Sequence, residues 1–356
     1  MRFFLVLFSL HIFCTSVGAQ LLILEAQEDV DPLHAQDVSD IACKNLLAEH
    51  CSIAFVQHFN SDDVSRLLPL LERSNIVNLS LGFQKPEERV SHHTMDESSN
   101  DGSLLEQYNE RLSLFHEIFS SYSNTLFVVA AGNGFLIRGI PTRGGVPVSE
   151  KFPTQPAFTQ RENLIKVAAV EATSFESIPD WTTVRLANYS NYSLTHVDVA
   201  APVESNSQGQ LLRGTSFAAP LVSRIARSLS QHYPRLTPQQ LTEIFIKSSH
   251  VVNIERAIEI SLDHQEHGDD SLWSRLEKNQ SGTLAQRLAL LAEIGPILLV
   301  KSGGVVNEHA ALACAQNFAE QSTSIEEACL LAQRDILGAS PSRIDQLKIL
   351  WRLREV

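Results

Sequence analysis

The sequence predicts an α/β protein: a doubly wound, mostly parallel sheet with helices on both faces, followed by a C-terminal helical region. Three observations predict it. Five short runs are almost continuously apolar: LLILE (21–25), SIAFVQ (52–57), NIVNLS (75–80), TLFVVAA (125–131) and LIKVAAV (164–170). Strands covered on both faces read this way. Between them lie HAQDVSDIACKNLLAEH (34–50), SDDVSRLLPLLERS (61–74) and SLLEQYNERLSLFHEIFSSY (103–122), in which apolar residues recur at helical spacing. Strand and helix therefore alternate, the order that builds a parallel sheet, and groups that do chemistry on such a sheet gather at the carboxyl ends of its strands.

Taken in order, residues 1–19 come first as a candidate signal peptide. Arg2 is a short basic start, Phe3 to Phe13 an apolar stretch, and Val17-Gly18-Ala19 a small-residue cleavage site. The run is too short for a preferred membrane span, so an exported chain with no span after signal removal is expected. Residues 20–262 hold the strands and helices above, with Asn60 or Ser61 placed to cap the second helix. Two polar stretches, 84–102 and most of 134–160, read as loops long enough to reshape a binding site. DHQEHGDD, from residue 263, reads as an acidic linker. The remainder to 356 is patterned as helices that bury their own apolar faces. Pro296 and Glu293 break the apolar run near 288–300, which argues against a transmembrane helix there.

Composition narrows the function. The 356 residues are 44% hydrophobic, enough for a sizeable core, and carry a formal net charge of -13. That balance argues against nucleic acid or an anionic membrane as the main partner. No GxGxxG follows the first strand and no GxxxxGK[ST] occurs, so nucleotide binding is unsupported. No metal or cofactor is expected. With residues 1–19 removed, four cysteines remain: Cys43, Cys51, Cys314 and Cys329. Three pairings are open, and the two local ones suit an oxidising compartment. Asn78, Asn188, Asn191 and Asn279 each head an Asn-x-Ser sequon.

Chemistry gathers at three places. LLRGTSFAAPLVSRIARSL (211–229) sets Ser216 at the start of an amphipathic helix, with Pro220 expected in its first turn. As a plain structural feature Thr215 or Ser216 is an N-cap. As a nucleophile, Ser216 has Gly214 for a tight turn and a positive helix end beside its hydroxyl. VVAAGNG places Asn133 just past a strand, where its amide can donate to a developing oxyanion. Ser80-Leu81-Gly82 ends another strand and offers an edge to an extended peptide.

VNLSLG, VVAAGNG, LIKVAAVEA, ANYSNYSLTHVDVAAPVES and GTSFAAPLVSRIARSLSQHYPRLTPQQL resemble, in order and spacing, the subtilisin-like serine proteases, across about residues 20–262. The resemblance implies Ser216 as nucleophile and Asn133 as oxyanion donor. It also implies that Ser80, Leu81, Gly82, Ala131 and Gly132 line the substrate cleft. The family's His-Gly-Thr-x-Val motif has its counterpart in HAQDVSDIA, which makes His34 the base although Ala35 and Gln36 replace glycine and threonine. The family's aspartate corresponds to Glu25, with Asp29 and Asp31 as rivals, since only nine residues separate 25 from 34. Glutamate serves in Ser-His-Glu triads on other folds. The relatives' folding pro-domain and calcium loop have no counterpart here.

Two readings result. The first is an exported serine endopeptidase acting on polypeptides. The second is a catalytically degenerate relative that keeps the cleft as a peptide- or protein-binding module.

Overall fold

The computed structural model describes residues 20–354 apart from 27–31, 45–49, 57–58, 86–100, 138–139, 142–143, 151, 173–177, 179–183, 206–207, 280–282, 284–285, 287–299, 302–303 and 322–323. The candidate signal peptide, Asp29, Asp31 and most of the 84–102 stretch lie outside the described residues.

Twelve strands are described: β1 (Leu21–Ala26), β2 (Cys51–Val56), β3 (Ile76–Leu79), β4 (Phe83–Gln84), β5 (Leu126–Ala130), β6 (Leu136–Ile137), β7 (Ile140–Pro141), β8 (Thr154–Gln155), β9 (Leu164–Val170), β10 (Val199–Pro202), β11 (His250–Val251) and β12 (Gly304–Val305). Eight form one sheet in the order β11-β12-β10-β9-β5-β3-β1-β2, parallel except for the β11–β12 pair. The five apolar runs are β1, β2, β3, β5 and β9. All but the edge strand β2 are buried along their length, as a sheet covered on both faces requires. On β2 the side chains of Ile53 and Phe55 stay exposed. The 134–160 stretch is not bare loop. It holds the β6–β7 hairpin and β8, which pairs with β4 through Phe83 opposite Gln155.

The helices are α1 (Pro32–Ala42), α2 (Ser61–Leu71), α3 (Asp101–Ser121), α4 (Thr215–His232), α5 (Pro238–Ser248), α6 (Ile254–His267), α7 (Leu272–Asn279), α8 (Glu308–Gln321), α9 (Ile325–Asp335) and α10 (Pro341–Arg354). Asn60 caps α2 by accepting from the Asp63 N–H. α1 is shorter than its sequence pattern: it ends at Ala42, and the next residue, Cys43, is disulfide-bonded to Cys51 at the start of β2. α4 is buried from Thr215 through Ser223 and packs against β3, β5, β9, β10 and α1. It carries the centre of the core.

The C-terminal expectations need correction. The acidic stretch is no linker: α6 runs through residue 262 to His267 and continues into a 3₁₀ turn, Gly268–Asp270. Its charges have local uses. Asp263 Oδ2 accepts from the Leu272 N–H at the start of α7, and His264 and His267 sit at the negative end of α6. Nor is the rest an appendage. β12 enters the main sheet beside β10, with Val305 opposite Ala200, and α8–α9, joined by the Cys314–Cys329 disulfide, pack on α5. Gln333 of α9 donates to the carbonyls of Lys247 and Ser249 at 3.0 and 2.8 Å, satisfying acceptors at the end of α5. Short local patterns miss this because β12 is only two residues long. Its partner is about a hundred positions away.

Candidate active site

Glu25, whose side chain is 2% exposed, is the penultimate residue of β1, and after five undescribed residues α1 opens with His34 in its first turn. α1 packs along α4, so His34 and Ser216, the second residue of α4, meet across 182 positions of sequence. His34 Nε2 lies 2.9 Å from Ser216 Oγ, and His34 Nδ1 lies 3.2 Å from Glu25 Oε2. An ionised carboxylate only accepts, so Nδ1 carries the proton and Nε2 is left to accept from the Ser216 hydroxyl. The Phe217 ring packs against the imidazole at 4.9 Å between centroids. The His34 side chain is 31% exposed on its open side.

Burial pushes the Glu25 carboxyl above its ordinary value of 4.5, against the lowering effect of the hydrogen bond and charge of His34. Its second oxygen, Oε1, is buried without a donor among the described residues. A buried anion so lightly supported is costly, and it stabilises most strongly the state in which the imidazole beside it is protonated.

Asn133 is exposed and its amide is oriented by α4. Oδ1 accepts from the Thr215 N–H at 2.9 Å and from Thr215 Oγ1 at 3.2 Å, while Thr215 Oγ1 itself accepts from the Gly132 N–H at 3.0 Å. With Oδ1 so engaged, Nδ2 lies on the Gly214 side. Gly214 precedes α4 at φ 139°, a conformation that side chains rarely adopt. A Cβ built there would lie 2.9 Å from Ser216 Oγ and 3.5 Å from Asn133 Nδ2. The space that glycine keeps empty is therefore about one atom wide, between a hydroxyl and an amide donor. The Ser216 N–H, in the first turn of α4, has no intrahelical acceptor and opens toward the same end.

The candidate cleft segments, Ser80-Leu81-Gly82 and Ala131-Gly132, bond to this first turn. Gly132 has φ +95°, and a Cβ on it would meet Asn191 Nδ2 at 2.8 Å. In the sequence Asn191 is legible only as a sequon. It is fully buried and brackets the Asn133 loop, accepting from the N–H groups of Gly134 and Val146 at 2.8 and 3.0 Å and donating to the Gly134 carbonyl at 3.2 Å. No local pattern distinguishes it from other loop asparagines. Ala131 and Leu81 are buried, and Gly82 packs toward the Gln155 carbonyl. The Ser80 hydroxyl points inward and donates to the Ser216 carbonyl at 2.8 Å, leaving main chain as what Ser80 offers to a bound peptide. Pro220 is the sixth residue of α4, beyond the first turn in which it was expected, and it has no N–H for the Ser216 carbonyl four residues earlier.

Among the described residues no group of three or more His, Cys, Asp or Glu side chains is placed to hold a metal. No helix there is long and apolar enough to cross a membrane.

Comparison with known proteins adds the following. No curated protein matches the chain. Among solved structures it is similar to that of subtilase cytotoxin SubAB (15% identity, 91% of this chain and 88% of that chain, TM-score 0.47). It is also similar to the self-cleaved protease domain of PatA (17%, 84% and 96%, TM-score 0.43) and to a cold-adapted subtilisin-like serine proteinase (16%, 65% and 82%, TM-score 0.41). The family model described as the subtilase family, Peptidase_S8, matches residues 48–285. That span includes Asn133 and Ser216 and begins after Glu25 and His34. It takes in two thirds of the sequence: the chain belongs to the subtilase family.

Proposed function

We propose that this chain is an exported serine endopeptidase in which Ser216, His34, Glu25 and Asn133 carry the reaction. His34 Nε2 takes the Ser216 proton as Oγ attacks a peptide carbonyl, then returns it to the leaving amine. Glu25 holds the proton on Nδ1 and stabilises the imidazolium formed in the transition state. Asn133 Nδ2 and the Ser216 N–H donate to the tetrahedral oxyanion in the space beside Gly214. Ser80-Leu81-Gly82 and Ala131-Gly132 flank the polypeptide.

The observation that carries this reading is the pair of contacts on one imidazole, 2.9 Å to Ser216 Oγ and 3.2 Å to Glu25 Oε2. Export is supported by the basic-apolar-small N-terminal sequence and by two disulfides. The test is a fluorophosphonate probe. Labelling of the folded chain that is lost in Ser216→Ala and reduced in His34→Ala is expected. A folded chain that binds peptides equally well with and without Ser216 and takes no label would instead be a binding module.

A further inference from the structure

Gly82 and Gly132 belong to the two segments proposed to flank a bound polypeptide. Gly82 is exposed and Gly132 half-buried, so both reach solvent. Behind them stands one side chain. A Cβ built on Gly82 would lie 3.5 Å from Thr154 Cγ2, and a Cβ built on Gly132 would lie 3.1 Å from the same atom. One methyl group therefore touches both segments and fills the gap between them, and Thr154 itself is only 3% exposed. The rim of this slot is open glycine backbone, and its floor is a methyl group.

Thr154 is held in place. It belongs to β8, with Gln84 of β4 opposite it, and its carbonyl accepts from the Phe158 N–H at 2.8 Å. The next residue, Gln155, is fully buried, and its side-chain amide donates to the Tyr108 carbonyl at 3.0 Å. A β-branched side chain on a strand so fixed has few rotamers to move into. The hydroxyl contributes no bond, since Oγ1 is buried without a partner among the described residues. A buried hydroxyl left unpaired costs stability, so what this threonine supplies is bulk.

We propose that Thr154 is a plug that makes this chain selective for a small residue, glycine, alanine or serine, on the amino side of the scissile bond. The inference rests on the protease reading for the point of attack. With the oxyanion beside Gly214, between Ser216 Oγ and Asn133 Nδ2, the residue carrying that carbonyl sends its side chain in next to Asn133, between Gly132 and Gly82. A methyl or hydroxymethyl group fits above the Thr154 methyl. Leucine or phenylalanine meets it, and making room means shifting a strand anchored to β4 and to Phe158.

The test uses the full chain and three N-acylated peptide anilides, identical except for alanine, leucine or phenylalanine before the anilide. For the wild-type chain, kcat/KM is expected to be about 100-fold higher with alanine than with phenylalanine. Thr154→Gly removes the plug and is expected to shrink that ratio about tenfold or more, by raising kcat/KM for phenylalanine. Thr154→Val keeps the bulk without the hydroxyl and should keep the wild-type order of preference. A general loss of stability does not move a ratio between substrates, and Thr154→Ser, which removes the methyl alone, serves if the glycine variant fails to fold. A wild-type chain that cleaves the phenylalanine substrate as well as the alanine one overturns the proposal. So does a ratio left unchanged by removal of the methyl. Cleavage of none of the three counts against the protease reading, and titration calorimetry with the same peptides then decides the plug separately. Tighter binding of the alanine peptide supports it, and equal or absent binding overturns it.

Discussion

The Ser80 hydroxyl donates at 2.8 Å to the backbone carbonyl of Ser216, an acceptor that Pro220, lacking an N–H, cannot serve from within α4. The bond is supported from behind. Asn78 Nδ2 donates to Ser80 Oγ at 2.8 Å, and Ser223 Oγ donates to Asn78 Oδ1 at 3.0 Å. A buried polar chain thus ties the end of β3 to the first three turns of α4 and sets where the candidate nucleophile sits. Ser80 and Ser216 belong to one hydrogen-bonded unit.

Ser80→Ala leaves that carbonyl and the Asn78 amide unpaired in the core. A stability loss of about 1–3 kcal/mol is expected from denaturant melts, with a fall in probe labelling rate as Ser216 drifts. Pro220→Ala restores an N–H four residues beyond the orphaned carbonyl. The double variant Ser80→Ala/Pro220→Ala should recover part of the loss. A double variant no more stable than the sum of the singles would show that the carbonyl is not what Ser80 serves.

Glu25→Gln should separate activity from stability. Turnover is expected to fall by about 10³–10⁴-fold, the scale seen when another triad's carboxylate becomes an amide. Stability moves the other way. Because burial raises the Glu25 pKa on folding, its contribution is fully present below the ordinary value of 4.5 and is lost as pH rises through the raised folded value. The wild-type Tm should therefore decline across that window, and the Glu25→Gln chain should lack this decline and melt higher at pH 8. Activity needs the ionised carboxylate and should rise with pH over the same range. Matching Tm profiles for the two chains would refute the assignment.

Gly214→Ala would put a methyl group 2.9 Å from Ser216 Oγ, in the space assigned to the oxyanion, on a backbone at φ 139°. Asn133→Ala removes the donor instead and leaves that space empty. A loss of about 10²–10³ in turnover is expected for Asn133→Ala, a scale borrowed from the oxyanion asparagine of subtilisin. Gly214→Ala should lose at least as much and also melt lower. Peptide turnover and Tm, measured on both chains, check the pair. A fully active Gly214→Ala chain would mean that the oxyanion lies elsewhere.

The two disulfides should differ in what their loss does. By loop length, Cys314–Cys329, with 15 residues of separation, contributes about 3 kcal/mol to stability, and Cys43–Cys51, with 8, slightly less. Cys43 directly follows α1, the helix that holds His34. Replacing Cys43 and Cys51 by serine should therefore lower turnover below the melting range, whereas replacing Cys314 and Cys329 should lower Tm and leave turnover nearly unchanged. Initial rates at a temperature where both variants are folded distinguish the two effects.

By itself the sequence determined the buried strands β1, β2, β3, β5 and β9, their alternation with helices, and the candidate residues Ser216, Asn133, His34 and Glu25. Continuous apolar runs mark buried strands, and GTSFAAP and VVAAGNG are local, because a turn and a helix start need adjacent residues. Tertiary structure alone decided everything that depends on distant residues coming together. It put Glu25, without the family's aspartate, behind His34, and spent the Ser80 hydroxyl on the carbonyl that Pro220 leaves open. It made Asn191 the brace of the Asn133 loop. It also brought the described C-terminal elements onto the sheet domain, through the two-residue strand β12 and the packing of α8–α9 on α5 and of α10 on α6. The physical reason is range: periodicity reports which face of an element is buried, but not which element buries it.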